Sequence, residues 1–285
     1  MNPFVLSFAS GTTFFVGLAL VLLAEGPLSR FRNRIVRPLL TVAAIAGIIL
    51  VAISATPLPI WAYVIWTIPA VVGLVLLSRP APTRGICLIF EALLAASTLA
   101  LCLVEAPFHQ RPTLDVPTGT TVYVLGDSIS AGMGTKHLCW PVVLAETTPL
   151  RVVNLAQPGA TVASAIIQAR GISEPHSLVI VEIGGNDLLG GTDAETFRTK
   201  LDTLVSSLRS DQHDVLVLEL PLFPFQNAYG RAQRDVVRKH GAAMLPKRFF
   251  ARVLGTENGT LDGLHLSQPG HDAMAEIIAN VLNQE

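Results

Sequence analysis

The chain has 285 residues, of which 51% are hydrophobic and 14% are charged, and its formal net charge is −1. In soluble globular proteins about a quarter of all residues are charged. The composition therefore argues against a wholly soluble protein and indicates that part of the chain lies in lipid. Residues 105–285 are mildly acidic, which gives no support to a nucleic-acid-binding surface.

The first 104 residues predict a domain of four membrane-spanning helices. Runs 4–24, 38–56 and 60–77 contain no charged residue, and run 86–104 is interrupted only by Glu91. Each run has about the 20 residues that a helix needs to cross the hydrocarbon core, and none has the polar face of a soluble bundle. Glu91 could line a proton or substrate path, or extend to the membrane interface.

The positions of the arginines predict the orientation of these helices. The loop 25–37 carries four arginines and the loop 78–84 carries two, whereas the N-terminal stub and the turn 57–59 carry none. Basic loops stay in the cytoplasm. We therefore predict an integral protein of the bacterial cytoplasmic membrane, with both termini and everything after residue 104 on the outer side.

A linker with three prolines, 105–119, leads to a domain at 120–285 in which short apolar runs alternate with amphipathic stretches. The candidate strands are 121–125, 151–154, 177–183, 214–219 and, with a weaker pattern, 242–245. The candidate helices lie near 138–147, 160–170, 194–209, 228–240 and 268–282. This alternation predicts a parallel sheet with helices on both faces, and a ligand site outside the carboxyl ends of its strands.

Three polar motifs follow the first three candidate strands. Gly-Asp-Ser at 126–128 places Ser128 just past a strand, where its hydroxyl can face solvent. Gly159, after the second strand, lets a backbone N–H approach an oxyanion closely. In the third motif, Gly-Gly-Asn-Asp at 184–187, the amide of Asn186 is a second candidate oxyanion donor. Each motif taken alone is equally an ordinary turn.

The fourth motif, Asp262-Gly263-Leu264-His265, precedes the last candidate helix. A spacing of three lets the Asp262 carboxylate hold the tautomer of the His265 imidazole while its other nitrogen faces a serine. Alone, the pattern is equally a helix cap with a surface histidine, and we interpret the later His271 as structural. Together the four motifs supply a nucleophile, a base, an orienting acid and oxyanion donors, which is a full set for acyl transfer.

With these motifs, residues 120–283 resemble the SGNH/GDSL hydrolase family, whose four sequence blocks are centred on Ser, Gly, Asn and His. The resemblance implies a three-layer α/β/α sandwich built on a five-stranded parallel sheet. It also implies roles for particular residues. Ser128 would be the nucleophile, His265 the general base and Asp262 its partner, and the oxyanion hole would consist of the N–H groups of Ser128 and Gly159 with the side chain of Asn186.

Within the family, the segment 181–187 is similar to the periplasmic thioesterase/lysophospholipase and arylesterase branch. The four-span anchor departs from that branch and leaves the natural substrate open. Phe223 and Phe225 lie in an unusually apolar segment after the fourth candidate strand. They are tentative substrate-binding residues that could line an acyl pocket or enter the bilayer, although the segment could equally pack under the last helix.

The sequence therefore predicts a membrane-anchored serine ester hydrolase that needs no cofactor and no metal. Its substrate would be an ester carried by a lipid or by an envelope component. An acyltransferase acting on an envelope lipid or glycan would use the same triad. A third interpretation is a membrane transport or sensor protein that uses a hydrolase-like domain for binding.

Overall fold

The computed structural model describes residues 3–26, 35–79, 84–133 and 138–283. The chain divides into two compact units. One, the sheet unit, comprises Gln110–Leu222 and Ala228–Glu285 together with the first six residues, and the other, the helical unit, comprises Ser7–His109 with Phe223–Asn227.

The described part of the N-terminal region is mostly helical. Its helices are α1 (Pro3–Ala9), α2 (Thr12–Glu25), α3 (Val36–Ile53), α4 (Ile60–Ser78) and α5 (Arg84–Glu105), and α5 continues into a 3₁₀ turn at Ala106–His109. Three helices in the described ranges, α3, α4 and α5 with its 3₁₀ turn, are long and apolar enough to cross a membrane.

The first predicted span differs from the expectation of one continuous helix. Residues 4–24 fall on α1 and α2, which are separated at Gly11, where the backbone is left-handed with φ 81°. Glycine adopts this conformation without a steric penalty, and there the chain leaves the helix. Helix α2 has 14 residues, fewer than the about 20 that a spanning helix needs, so the fourth span remains a proposal.

Small residues let α2 and α3 of the helical unit pack with their backbones close together. A Cβ atom added to Gly17 would lie 2.6 Å from the carbonyl oxygen of Gly47, and one added to Gly47 would lie 2.7 Å from the carbonyl oxygen of Gly17. The buried Trp66 on α4 donates from Nε1 to Oγ1 of Thr98 on α5 at 2.9 Å. Close glycine contacts and hydrogen bonds between helices are the packing devices of membrane proteins.

The sheet unit contains the predicted five-stranded parallel sheet. Its strands are β1 (Thr121–Gly126), β2 (Arg151–Asn154), β3 (Leu178–Glu182), β4 (Asp214–Leu218) and β5 (Ala243–Leu245). They run parallel in the order β2-β1-β3-β4-β5. Every residue of β1 and β3 is buried, as expected for strands that helices cover on both faces. All five predicted strands are confirmed.

Helices cover both faces of this sheet and complete the three-layer α/β/α arrangement. They are α6 (Ser128–Ala131), α7 (Trp140–Thr147), α8 (Val162–Gln168), α9 (Gly185–Leu189), α10 (Ala194–Ser210), α11 (Asn227–His240), α12 (Lys247–Leu254) and α13 (Gln268–Val281). The five predicted helices of this domain are confirmed. Helix α12 was not predicted, because it has only two turns and is stabilised by burial of Phe250 and Val253 in the core.

The topology brings the ends of the first three strands together. Because β1, β2 and β3 are parallel neighbours, their carboxyl ends meet at one edge of the sheet. Gly126, the last residue of β1, lies opposite Glu182, the last residue of β3, and Val124 lies opposite Asn154, the last residue of β2. The segments that follow these strands are therefore neighbours in space.

Candidate active site

The turn between β1 and α6 places Ser128 at the first position of a short helix. Asp127 is the N-cap of that helix, and its Oδ1 accepts the N–H of Ile129 at 3.0 Å. The side chain of Gln168 binds both backbone polar groups of Gly126. Its Oε1 accepts the Gly126 N–H, and its Nε2 donates to the Gly126 carbonyl oxygen, both at 3.0 Å. These bonds hold the backbone beside Ser128, whose side chain is only partly buried.

Asp262 and His265 form the side-chain pair that their spacing predicts. Oδ2 of Asp262 lies 2.7 Å from Nδ1 of His265, and Oδ1 accepts the N–H groups of Leu264 and His265 at 3.0 and 2.8 Å. The hydrogen bond from the His265 side chain, with those from the two backbone N–H groups, holds the pKa of Asp262 far below its usual range. An ionised Asp262 requires the proton of a neutral imidazole to be on Nδ1, so Nε2 is free to accept a proton.

An electrostatic interaction connects His265 with the β1–α6 turn. Burial raises the pKa of Asp127, and the nearby charge of His265 opposes that rise. Such an influence requires His265 to lie close to Asp127, the residue before Ser128. The loop before α13 therefore places His265 within electrostatic reach of the residue that precedes Ser128.

Gly159 lies in the loop after β2, and Asn186 lies in the first turn of α9, after β3. Gly159 has φ 76°, and a Cβ atom built on it would meet nothing within 4 Å, so its backbone is open to approach. Nδ2 of Asn186 donates at 3.0 Å to Oδ2 of Asp127 and at 3.0 Å to the carbonyl oxygen of Ala160. The amide of Asn186 thus links the serine turn to the loop that carries Gly159. Both of its hydrogens are engaged, so donation to an oxyanion requires one of them to be shared or exchanged.

Four further polar or aromatic residues support this arrangement, and the sequence analysis assigned them no role: Ser130, Trp140, Glu182 and Asp187. Oδ2 of Asp187 accepts the N–H of Val162 at 2.8 Å and so ties α9 to the start of α8. The one visible signal was a carboxylate, Glu182, at the end of an otherwise apolar buried strand. His271 is buried and its Nδ1 accepts the N–H of Trp140 at 3.2 Å, which is the structural role expected for it.

Phe223 and Phe225 are the most exposed aromatic residues of the segment after β4. Their exposed fractions are 58% and 78%, whereas the preceding Leu220 and Leu222 are buried. The alternative in which this segment packs under the last helix is therefore wrong for the two phenylalanines. Both belong to the helical unit by their contacts, and the structure does not group them with Ser128.

The loops that carry the candidate site residues also expose large apolar side chains. They are Met133 and Leu138 after α6, Leu189 at the end of α9, and Leu261 and Leu264 on either side of Asp262. Single exposed apolar residues are ordinary, but these five lie on the segments that carry the candidate site residues. We call this set the apolar rim.

The fold and these side chains are those of an SGNH-type ester hydrolase, with a serine after β1, an asparagine after β3 and an Asp–His pair before the last helix. The chain belongs to the GDSL-like lipase/acylhydrolase family, whose family model matches residues 124–273.

Two curated relatives illustrate the similarity. Esterase TesA of Pseudomonas aeruginosa is 29% identical over 206 residues, which cover 67% of this chain and 96% of that protein. Thioesterase 1/protease 1/lysophospholipase L1 of Escherichia coli K12 is 22% identical over 182 residues, which cover 60% of this chain and 86% of that protein.

Solved structures agree with the family assignment. The crystal structure of TesA matches with a TM-score of 0.50 at 28% identity, covering 57% of this chain and 98% of that one. The esterase EstA from Pseudoalteromonas sp. matches with a TM-score of 0.50 at 23% identity, covering 58% and 100%, and shares the fold.

Proposed function

We propose that this protein is a membrane-anchored serine ester hydrolase that acts at the extracytoplasmic face of the membrane with Ser128, His265 and Asp262 as its triad. The observation that carries the proposal is the 2.7 Å contact between Oδ2 of Asp262 and Nδ1 of His265. The family membership and the names of the relatives, which include an esterase and a lysophospholipase, support ester hydrolysis.

In the proposed mechanism, Oγ of Ser128 attacks the carbonyl carbon of the ester while Nε2 of His265 takes the hydroxyl proton. The negative charge on the former carbonyl oxygen is stabilised by the N–H groups of Ser128 and Gly159 and by the amide of Asn186. When the tetrahedral intermediate collapses, the leaving alcohol or thiol takes the proton from His265. Water, deprotonated by His265, then releases the acid from Ser128.

We further propose that the substrate is membrane-borne: a lysophospholipid, or an acyl group on an envelope lipid or polymer. Three helices of spanning length support retention at a membrane. The apolar rim supports an amphiphilic ester, because a substrate with an acyl chain would cover these side chains on binding. Phe223 and Phe225, with their exposed rings, would contact the acyl chain or the bilayer.

Removal of the N-terminal helices should separate the two kinds of substrate. A shortened protein beginning at Gln110 keeps Leu114 and Val116, which pack against the core of the sheet unit. We expect its kcat/KM on a soluble short-chain ester to stay near the wild-type value. Turnover of a lysophospholipid in lipid nanodiscs should fall by about tenfold or more, because the site is no longer held at the bilayer; tenfold corresponds to about 1.4 kcal/mol.

The soluble ester is the internal control for folding of the shortened protein. Equal losses on both substrates, or no loss on either, would contradict a membrane-borne substrate. In the full-length protein, replacement of both Phe223 and Phe225 by serine should lower only the turnover in nanodiscs. A loss on the soluble ester as well would instead indicate that the two rings contribute to the fold.

The proposed orientation places the sheet unit outside the cell. A cysteine at Asp211, an exposed position after α10, can be tested in a variant that lacks Cys87, Cys102 and Cys139. We expect a membrane-impermeant thiol reagent to label it in intact cells, because the arginine-rich loops predict a cytoplasmic position only for residues 25–37 and 78–84. Labelling only after lysis would place the sheet unit in the cytoplasm.

A further inference from the structure

A buried acid lies directly behind the serine turn, and the mechanism above gives it no role. Glu182 ends β3, and 2% of the residue is exposed. Its Oε2 accepts a hydrogen bond from Oγ of Ser130 at 2.9 Å and a long one from the N–H of Asp127 at 3.4 Å. A carboxyl group at this depth, without a cationic side chain among these partners, is costly to ionise.

The direction of the hydrogen bond from Ser130 follows from Trp140. The indole Nε1 of Trp140 can only donate, and it lies 3.1 Å from Oγ of Ser130. The hydroxyl proton of Ser130 must therefore point elsewhere, and Oε2 of Glu182 is the acceptor within reach. Oε2 thus acts as an acceptor, so that a proton on Glu182 belongs to Oε1.

The second member of the cluster is Asp127, which has both oxygens occupied by donors. Its Oδ1 accepts the N–H of Ile129, and its Oδ2 accepts Nδ2 of Asn186, each at 3.0 Å. Burial, and then the negative charge of Asp127, raise the pKa of Glu182 well above its usual range. The two acids are neighbours, since Oε2 of Glu182 accepts the backbone N–H of Asp127 at 3.4 Å. Two acids this close and this buried are costly to ionise together, so a proton held by the pair would lie on Glu182 and leave Asp127 ionised.

We propose that Glu182 is a positioning residue: as a neutral acid it holds the Asp127 carboxylate and, through it, the Asn186 amide in the geometry that stabilises the oxyanion. The proposal rests on the proposed function, since it concerns the same reaction. Among the described residues, Asp187 on α9 and His265 on the loop before α13 also act electrostatically on Asp127. Ionisation of Glu182 would place a second negative charge beside Asp127, and repulsion would displace the carboxylate that binds Asn186.

The test compares Glu182→Gln with Glu182→Ala in the full-length protein. A glutamine amide imitates a protonated carboxyl group: it can donate to Asp127 and accept from Ser130, but it cannot ionise. We expect Glu182→Gln to keep most of the wild-type kcat at pH 7. We expect Glu182→Ala to resemble Asn186→Ala, which should lose roughly 10²–10³ in kcat while KM moves little, since an oxyanion donor acts on the transition state.

The pH profile of kcat separates the proposed role of Glu182 from a merely structural one, because a structural role would not change the profile. The raised pKa of Glu182 means that the active, protonated form is present at low and neutral pH and is lost as the pH rises through that pKa. Wild-type kcat should therefore fall at alkaline pH, and Glu182→Gln should not show this fall. Ser130→Ala should move the fall to higher pH, because the lost hydrogen bond stabilises the ionised form of Glu182.

A matched control is Glu174→Gln, the same substitution at a partly exposed glutamate that pairs with Arg151 and Thr121 at the amino end of the sheet. It should leave the pH profile unchanged. The proposal would be overturned if Glu182→Gln kept the alkaline fall of the wild type, or if it lost as much kcat as Glu182→Ala.

An infrared measurement tests the shared proton without any turnover. The difference spectrum between wild type and Glu182→Gln at pH 7 should contain the C=O band of one protonated carboxyl group. Absence of that band would overturn the proposal even if the enzyme is active. Presence of the band in a protein that hydrolyses no ester would overturn the proposed function and, with it, the positioning role, while the protonated state of Glu182 would stand.

Discussion

Replacement of Ser128 by alanine should reduce the turnover of a short p-nitrophenyl ester by roughly 10⁴-fold or more, because no other group in the proposed mechanism can form the acyl-enzyme. The same variant should no longer react with a fluorophosphonate probe, which forms a covalent bond to an activated serine. The expected KM change is small, since the hydroxyl contributes to bond formation more than to binding. Initial rates and the intact mass of the probe-treated protein measure both effects.

The control for this experiment is the neighbouring Ser130. Its hydroxyl is buried and hydrogen-bonded to Glu182, so Ser130→Ala should still be labelled by the probe at Ser128. Wild-type turnover in Ser128→Ala would show that the mechanism is wrong. A wild-type protein that the probe does not label at all would favour the transport or sensor interpretation, in which the domain binds but does not react.

Loss of the His265 imidazole should be nearly as severe as loss of the nucleophile. His265→Ala is expected to lower kcat by roughly 10⁴-fold or more, and combining it with Ser128→Ala should add little, because the members of a triad act as a unit. Asp262→Asn should cost somewhat less and leave the fold intact. An asparagine amide at this position would donate to the imidazole and favour the wrong tautomer.

The pH dependence of kcat/KM tests the ionised state of Asp262. The hydrogen bonds from His265 and Leu264 depress the pKa of Asp262, so Asp262 stays ionised as the pH falls into the acid range. The stabilising hydrogen bonds to the ionised Asp262 are therefore fully present above its usual pKa and are lost only when the pH falls below its lowered pKa. Asp262→Asn, which cannot ionise, should therefore lower kcat/KM without changing the shape of its pH profile at mildly acid pH.

The chain offers a matched control for the His–Asp pair. Nε2 of His240 lies 2.8 Å from Oδ1 of Asp202, a similar contact between helices α11 and α10. His240→Ala removes an imidazole with the same kind of partner but no place in the proposed mechanism, and it should keep wild-type turnover. A large loss of turnover in His240→Ala, together with little loss in His265→Ala, would show that His240 and not His265 is the base.

The strands and most helices of the sheet unit followed from local pattern, since a run such as Leu178–Glu182 has almost no alternative to a buried strand. The four polar motifs were equally legible, because each must follow a strand or precede a helix for its side chains to reach one edge of the sheet. The local sequence pattern did not predict the break between α1 and α2, which depends on a single residue. Gly11 divides the first apolar run into two helices, although the run contains no charge to announce it.

By itself, the sequence determined the class of fold, the order of the strands along the chain and the residue types available for chemistry. Apart from the pair Asp262 and His265, only the tertiary structure decided which of these groups share a hydrogen bond. Gly126 and Glu182 are far apart along the chain, but the parallel pairing of β1 with β3 sets them side by side. That register buries Glu182 beside Asp127. The protonation state of two neighbouring carboxyl groups depends on the distance between them and on the exclusion of water. Neither quantity can be read from the spacing of residues along the chain.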